Sequence, residues 1–123
     1  MKPKSAKAKG RRFQWDVAEK IGELLDLPVG YDEVIAPREM GQQGVDVKLV
    51  GEAAAKFKYD VECKNTEAWQ VPAWITQARK NQKEGRQWLV CASKNRYKPV
   101  VILDMEHFFD LLKRLNDTEP NCG

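Results

Sequence analysis

Two segments of strictly alternating side chains constrain this chain more than anything else in it. In VDVKLV (45–50), Val45, Val47 and Leu49 alternate with Asp46, Lys48 and Val50. In FKYDVEC (57–63), Phe57, Tyr59, Val61 and Cys63 alternate with Lys58, Asp60 and Glu62, and Lys64 continues the polar phase. A period of two is the signature of a β-strand with one face toward the core. The short connection GEAAAK predicts that the two strands form a hairpin.

The polar phase then carries chemistry. Side chains two apart on a strand leave the same face about 7 Å apart, so Glu62 and Lys64 share a patch. In a paired hairpin Asp46 stands beside Glu62. Two carboxylates on one patch repel each other and invite a divalent cation, with Mg²⁺ the hard, oxygen-loving candidate. A lysine beside such a cation helps deprotonate a water or steadies a phosphate. The same residues also suit a solvated strand face of mixed charge. Asp46 and Lys48, with Asp32 upstream, form a competing acid–acid–lysine set.

Around these strands the pattern predicts a helix over 11–26, with Phe13, Val17, Ile21, Leu24 and Leu25 at helical spacing and Pro28 and Gly30 closing it. An edge segment over 31–37 and a polar loop over 38–44 lead to the first strand. A second helix begins near Pro72, carries Trp74, Ile75, Gln77 and Ala78, and breaks at Gly85. Strands follow over 87–93 and 99–103, and Asp104 is placed to cap a last helix whose buried stripe is Phe108, Leu111, Leu112 and Leu115. That order predicts an α/β fold, a mixed sheet flanked by helices. At 123 residues there is room for one domain, expected over 11–116 between an arm (1–10) and a flexible tail (117–123).

Charge is placed unevenly. Lys2, Lys4, Lys7, Lys9, Arg11 and Arg12 crowd the first twelve residues with no acid among them, although the whole chain is only +3. The arm is low in apolar content and is expected to be disordered when unbound. A basic arm on a mildly acidic body suits nucleic acid; the plainer reading is a solubilising terminus. Cys63, Cys91 and Cys122 are odd in number and widely spaced, which suggests neither a disulfide framework nor a zinc site. His107 is the only histidine, which leaves no Ser-His-Asp chemistry and no His-based zinc site, and it is expected to be structural. No apolar run is long enough to span a membrane, and no secretory signal opens the chain, so the expected location is intracellular. Trp74 and Trp88 are expected in the core. Trp69 and the basic turn of Lys94, Arg96 and Lys98 are equally compatible with nucleic-acid contact and with plain solvation.

The chain resembles the PD-(D/E)XK nucleases, and among them the archaeal-type Holliday junction resolvases and their small phage relatives. The resemblance covers roughly residues 9–82. Lys9-Gly10 leads into the first helix, Arg38 and Gly41 precede Asp46 at the family's spacing, and Glu62-Cys63-Lys64 is the E-x-K element, followed by a helix. It selects Glu62 and Lys64 over the set built on Asp32 and Lys48. It implies a restriction-endonuclease-like fold and a metal-dependent DNA endonuclease. In that reading Asp46, Glu62 and the backbone carbonyl of Cys63 hold Mg²⁺, with Mn²⁺ as substitute, and Lys64 orients the attacking water. It further implies a homodimer acting on four-way DNA junctions in a prokaryote or a phage-infected host. Lys7, Lys9, Arg11, Arg12, Arg38 and Gln42 would touch DNA, and Gln77 would reach the site from the second helix. The chain departs from the family at Gln14, where a metal-binding glutamate is usual and whose neutral oxygen would still ligate Mg²⁺ or hold a metal-bound water, at Gln42 in place of Ser, and at Val45 in place of Pro. Alternatives on the same fold are a structure- or site-specific nicking endonuclease and a catalytically weak DNA-binding module.

Overall fold

The computed structural model describes residues 3–39 and 44–118. It is a mixed α/β arrangement of four helices with a two-stranded and a three-stranded sheet, neither of them closed. In chain order the elements are α1 (Pro3–Leu25), β1 (Ile35–Pro37), β2 (Val47–Leu49), α2 (Gly51–Lys56), β3 (Tyr59–Asn65), α3 (Val71–Asn81), β4 (Gln87–Ser93), β5 (Val100–Ile102) and α4 (Met105–Thr118).

α1 starts eight residues earlier than its apolar periodicity predicts. The basic segment read as a disordered arm is its first two turns, and the reason is local: Lys and Ala, which dominate 4–9, are among the best helix formers. The helix ends at Asp26, in the left-handed region with φ 56°, rather than through Pro28 and Gly30. Leu27 N–H reaches back to the Gly22 carbonyl (3.0 Å), the six-residue bond of a Schellman C-cap. Gly22 is required there, because a Cβ would meet Val29 Cγ2 at 2.6 Å and the Leu27 carbonyl oxygen at 2.9 Å.

The predicted hairpin does not form. GEAAAK is α2, stabilised by an Ala run and by Lys56 Nζ bonding Glu52 Oε1 one turn back at 2.7 Å. β2 instead pairs antiparallel with β1, and β3 pairs parallel with β4 in the register Glu62↔Val90, Cys63↔Cys91. α3 makes the crossover that parallel neighbours require. β5 adds antiparallel to β4 and ends the sheet, whose order is β3-β4-β5.

Parallel strands need cover on both faces, and the two core clusters show it. Phe13, Ala18 and Ile21 of α1 pack with Val61 and Cys91 on one face. Trp74 and Ala78 of α3 pack with Trp88, Val90 and Ala92 on the other. The polar phase of β3 therefore points not to solvent but under α3. Asp60, at its start, is buried and meets Arg86: Nε–Oδ1 is 2.9 Å, and Lys83 N–H donates to Oδ2 at 2.8 Å. The same guanidinium donates to the carbonyls of Ala54, Phe57 and Tyr59 at 3.0, 2.8 and 2.9 Å, clamping α2 to the start of β3.

The last helix departs furthest from expectation. Asp104 does not use its carboxylate as a cap; the two oxygens accept from Arg79 (2.7 Å) and from Trp88 Nε1 (3.0 Å). No residue of α4 is buried, so the stripe of Phe108, Leu111, Leu112 and Leu115 is not core. His107 Nε2 bonds the Tyr59 hydroxyl at 2.6 Å, which is a structural role. α4 continues through Thr118, so residues 117–118 are helix; the rest of the expected tail, with Cys122, lies outside the described residues. Among the described residues no helix is long and apolar enough to cross a membrane.

Candidate active site

Asp46, Glu62 and Lys64 come together without a hairpin. Asp46 lies just before β2, where its N–H donates to the Val61 carbonyl (3.0 Å), and this single bond lays the segment along the free edge of β3. Its Oδ2 accepts from Cys63 N–H at 2.7 Å. Glu62 and Lys64 follow on β3 with their side chains on the α3 side.

Both acids are buried, Asp46 at 5% exposure and Glu62 at 2%, where an exposed polar face was expected. Each is held. Asp46 Oδ1 pairs with the Arg38 guanidinium at 3.1 Å, and Arg38 also donates to the Gly44 carbonyl at 2.8 Å. Asn81 Nδ2 donates to Glu62 Oε1 at 2.7 Å. Lys64 Nζ donates to Gln77 Oε1 at 2.8 Å. Gln77 of α3 thus stands beside Lys64. Asn81, four residues on and therefore on the same face of α3, was missed from sequence; the signal was that spacing from Gln77.

The electrostatics follow from this crowding. Burial pushes the Glu62 carboxyl up to about 7. The Asn81 hydrogen bond opposes the rise, while the Asp46 carboxyl beside it, close enough to share a hydrogen bond, adds to it. Burial likewise pushes the Cys63 thiol well up and the Cys91 thiol to about 11, so Cys63 offers its backbone and not a thiolate.

The donor set suits a hard divalent cation. Among the described residues no three His, Cys, Asp or Glu side chains gather as a metal cluster. Yet a cation of the Mg²⁺ type is commonly held by one or two carboxylates with water completing its shell. Asp46 and Glu62 supply two carboxylates. N–H and C=O of one strand residue leave on the same edge, so the Cys63 carbonyl faces the edge where Asp46 sits. A cavity of about 620 Å³, lined among others by Arg38, Glu39, Lys48, Asp60, Asn81 and Lys83, opens beside the partners of both acids.

Gln14 is half-buried on α1 and, among the described residues, makes no hydrogen bond to Asp46, Glu62 or Lys64. Lys48 and Asp32 are exposed, and neither bonds Asp46. Arg38 is half-buried and bonds Asp46 and the Gly44 carbonyl. Lys7, Arg11 and Arg12 are exposed on α1, while Lys9 bonds Glu67 Oε2 at 3.3 Å. Gln42 and Gly41 lie outside the described residues.

Comparison of the chain with protein-family models, with curated proteins and with solved structures returned no match.

Proposed function

We propose that the protein is a metal-dependent DNA endonuclease of the PD-(D/E)XK kind on a restriction-endonuclease-like fold. One observation carries the reading: two buried carboxyls from separate segments, Asp46 and Glu62, stand beside each other, and Lys64 follows Glu62 by two residues on the same face of β3. Burying a carboxylate pair is costly, and a purely structural strand has no use for one. The motif resemblance supplies the reaction class.

Asp46, Glu62 and the Cys63 carbonyl would hold Mg²⁺ or Mn²⁺. When bound, the cation supplies a Lewis acid that stabilises the charge developing on the phosphate. Lys64, fixed by Gln77, orients the attacking water against phosphorus as the bond to the 3′-oxygen breaks. Asn81 keeps the Glu62 oxygen turned toward the site, and Arg38 does the same for Asp46. The preferred substrate is a four-way DNA junction cut by a homodimer, for which the exposed apolar residues of β5 and α4 are the supporting observation. Nicking of other structures or sites by the same centre is the alternative reading.

Labelled four-way junction, flap and duplex DNA, each incubated with and without Mg²⁺, test this directly. Cleavage that needs the cation is expected. Asp46→Ala, Glu62→Ala and Lys64→Ala should each lower the rate at least a hundredfold while DNA binding in chelator persists. Alanine variants cutting at the parent rate would sink the assignment.

A further inference from the structure

The basic start of α1 and the basic turn between β4 and β5 lie some 85 residues apart in sequence, yet one glutamate joins them. Glu67 Oε2 accepts from Lys9 Nζ at 3.3 Å and from the Asn95 N–H at 2.8 Å. Arg12 follows Lys9 by three residues and so lies on the same side of α1. The turn adds Lys94, Arg96 and Lys98 with no acid among residues 94–98. These cations border the loop that follows Lys64 in β3.

This turn is built rather than loose. Trp69 Nε1 donates to the Thr66 carbonyl (3.0 Å) and the Ser93 carbonyl (3.2 Å), tying the loop after β3 to the end of β4. Ser93 Oγ donates to the Tyr97 carbonyl at 2.8 Å, and Tyr97 N–H to the Lys94 carbonyl at 3.2 Å. The Tyr97 ring meets Trp69 edge-on at 5.1 Å, and Lys94 Nζ sits 4.9 Å from the Tyr97 centroid. Arg96 occupies the left-handed region at φ 56°, which an arginine adopts only against strain of about 1 kcal/mol or more. A turn that serves only solubility has no need of a backbone so tied down and strained.

We infer that Lys9, Arg12, Lys94, Arg96 and Lys98 form one phosphate-binding face that carries the DNA backbone past the Lys64 end of the candidate site. The proposal rests on the nuclease reading for its ligand, but not for its geometry. A tied-down backbone presents its cations to a polyanion from fixed positions, and each phosphate contact releases counterions. Glu67 acts as the spacer: it holds the two basic segments together and offsets one of their five positive charges.

Binding of a labelled 20-base-pair duplex, measured by fluorescence anisotropy in chelator across a salt series, tests the face with no chemistry running. Changing Lys94, Arg96 and Lys98 together to alanine should lower affinity at least tenfold and make the slope of log K against log[salt] shallower by about 2.7, roughly 0.9 for each lost contact. Removing three exposed lysines elsewhere, Lys20, Lys56 and Lys58, should leave the slope within about 0.5 of the parent. Far-ultraviolet circular dichroism and Tm establish that both variants fold. An unchanged slope in the turn variant, an equal loss in the control, or no duplex binding by the parent would each overturn the face. A shallower slope in the turn variant from a protein that cuts no DNA with Mg²⁺ would keep the face and remove the nuclease. Cation-dependent cutting with an unchanged slope would do the reverse.

Discussion

Glu62 behaves as two different groups on the two sides of neutrality. In the unfolded chain it ionises near the ordinary 4.5, whereas in the fold it keeps its proton to about 7, chiefly because it is buried. Between those values the folded state binds more protons, so this group's contribution is fully present below about 4.5 and is lost as pH rises through about 7. The loss amounts to at most about 3 kcal/mol at 1.36 kcal/mol per unit. Urea unfolding without divalent cation should show it: the parent minus Glu62→Gln difference in stability should fall between pH 5 and pH 8, since glutamine fills the same space with no charge. A difference flat with pH would mean that Glu62 ionises normally. At pH 8, Mg²⁺ at ten times its Kd should stabilise the parent by about 1.4 kcal/mol and the glutamine variant by much less. Asn81 gives a second readout at the same scale. Its hydrogen bond holds the Glu62 carboxyl down, so Asn81→Leu should raise that carboxyl further and move the acid limb of the cleavage profile to higher pH. A limb that stays put would make Asn81 a bystander. That Glu62 and Lys64 share a face, with Asp46 beside Glu62, was legible from strand phase, which left Lys48 and Asp32 as rivals that only the motif resemblance set aside. The burial of Asp46 and Glu62 was not, because alternation tells which side chains share a face and not whether that face is covered.

Among the elements, the same ambiguity decided which expectations held. β4 was read to its ends, and β3, α3 and β5 to within a few residues, since continuous or alternating apolar runs bounded by Pro and Gly leave little choice. Pairing was a different matter. The link between residues 50 and 57 is short enough for a hairpin, but GEAAAK has stronger helical than turn character, and once it is helix the two strands need new partners. Asp60 illustrates the cost of taking polar for exposed. Its pairing with Arg86 joins α2, β3 and the loop before β4 through contacts that are distant in sequence, which no periodicity reports. Removing one member of a buried ion pair leaves the other charged and unpaired, typically at 3–5 kcal/mol. Arg86→Ala should therefore destabilise the protein by about 3 kcal/mol in urea unfolding, more than Arg79→Ala, whose pair with Asp104 is far more exposed. Equal effects of the two substitutions would remove the clamp role of Arg86.

At the scale of the whole molecule, the unresolved matter is the face left by β5 and α4. Val101 is 54% exposed, Met105 73%, Phe109 59% and Leu115 55%, and Phe108 and Leu112 lie open beside them. α4 projects these from a helix about 21 Å long with no buried residue of its own. Its charges are Glu106 and Asp110 in the N-terminal half and Lys113, Arg114 and Asp117 in the C-terminal half, with Arg114 paired to Asp110 one turn back at 2.8 Å. Two copies laid antiparallel across a two-fold axis would bring their apolar stripes together, and a two-fold contact is self-complementary by construction. β5, as the edge of its sheet, leaves a strand edge on the same side. Resolving a four-way junction needs two cuts on opposed strands, and a chain with one centre meets that need by doubling. We therefore expect a homodimer in sedimentation at micromolar concentration, binding four-way junctions at least tenfold tighter than duplex of equal length and nicking them in symmetric pairs. Phe109→Glu should give a folded monomer, since the side chain is exposed in the single chain, and should abolish paired nicking while sparing single nicks. A parent protein that sediments as a monomer, or a Phe109→Glu variant that still cuts in pairs, would remove the dimer and move the substrate away from junctions, with Asp46, Glu62 and Lys64 still serving as the centre of a single-nick enzyme.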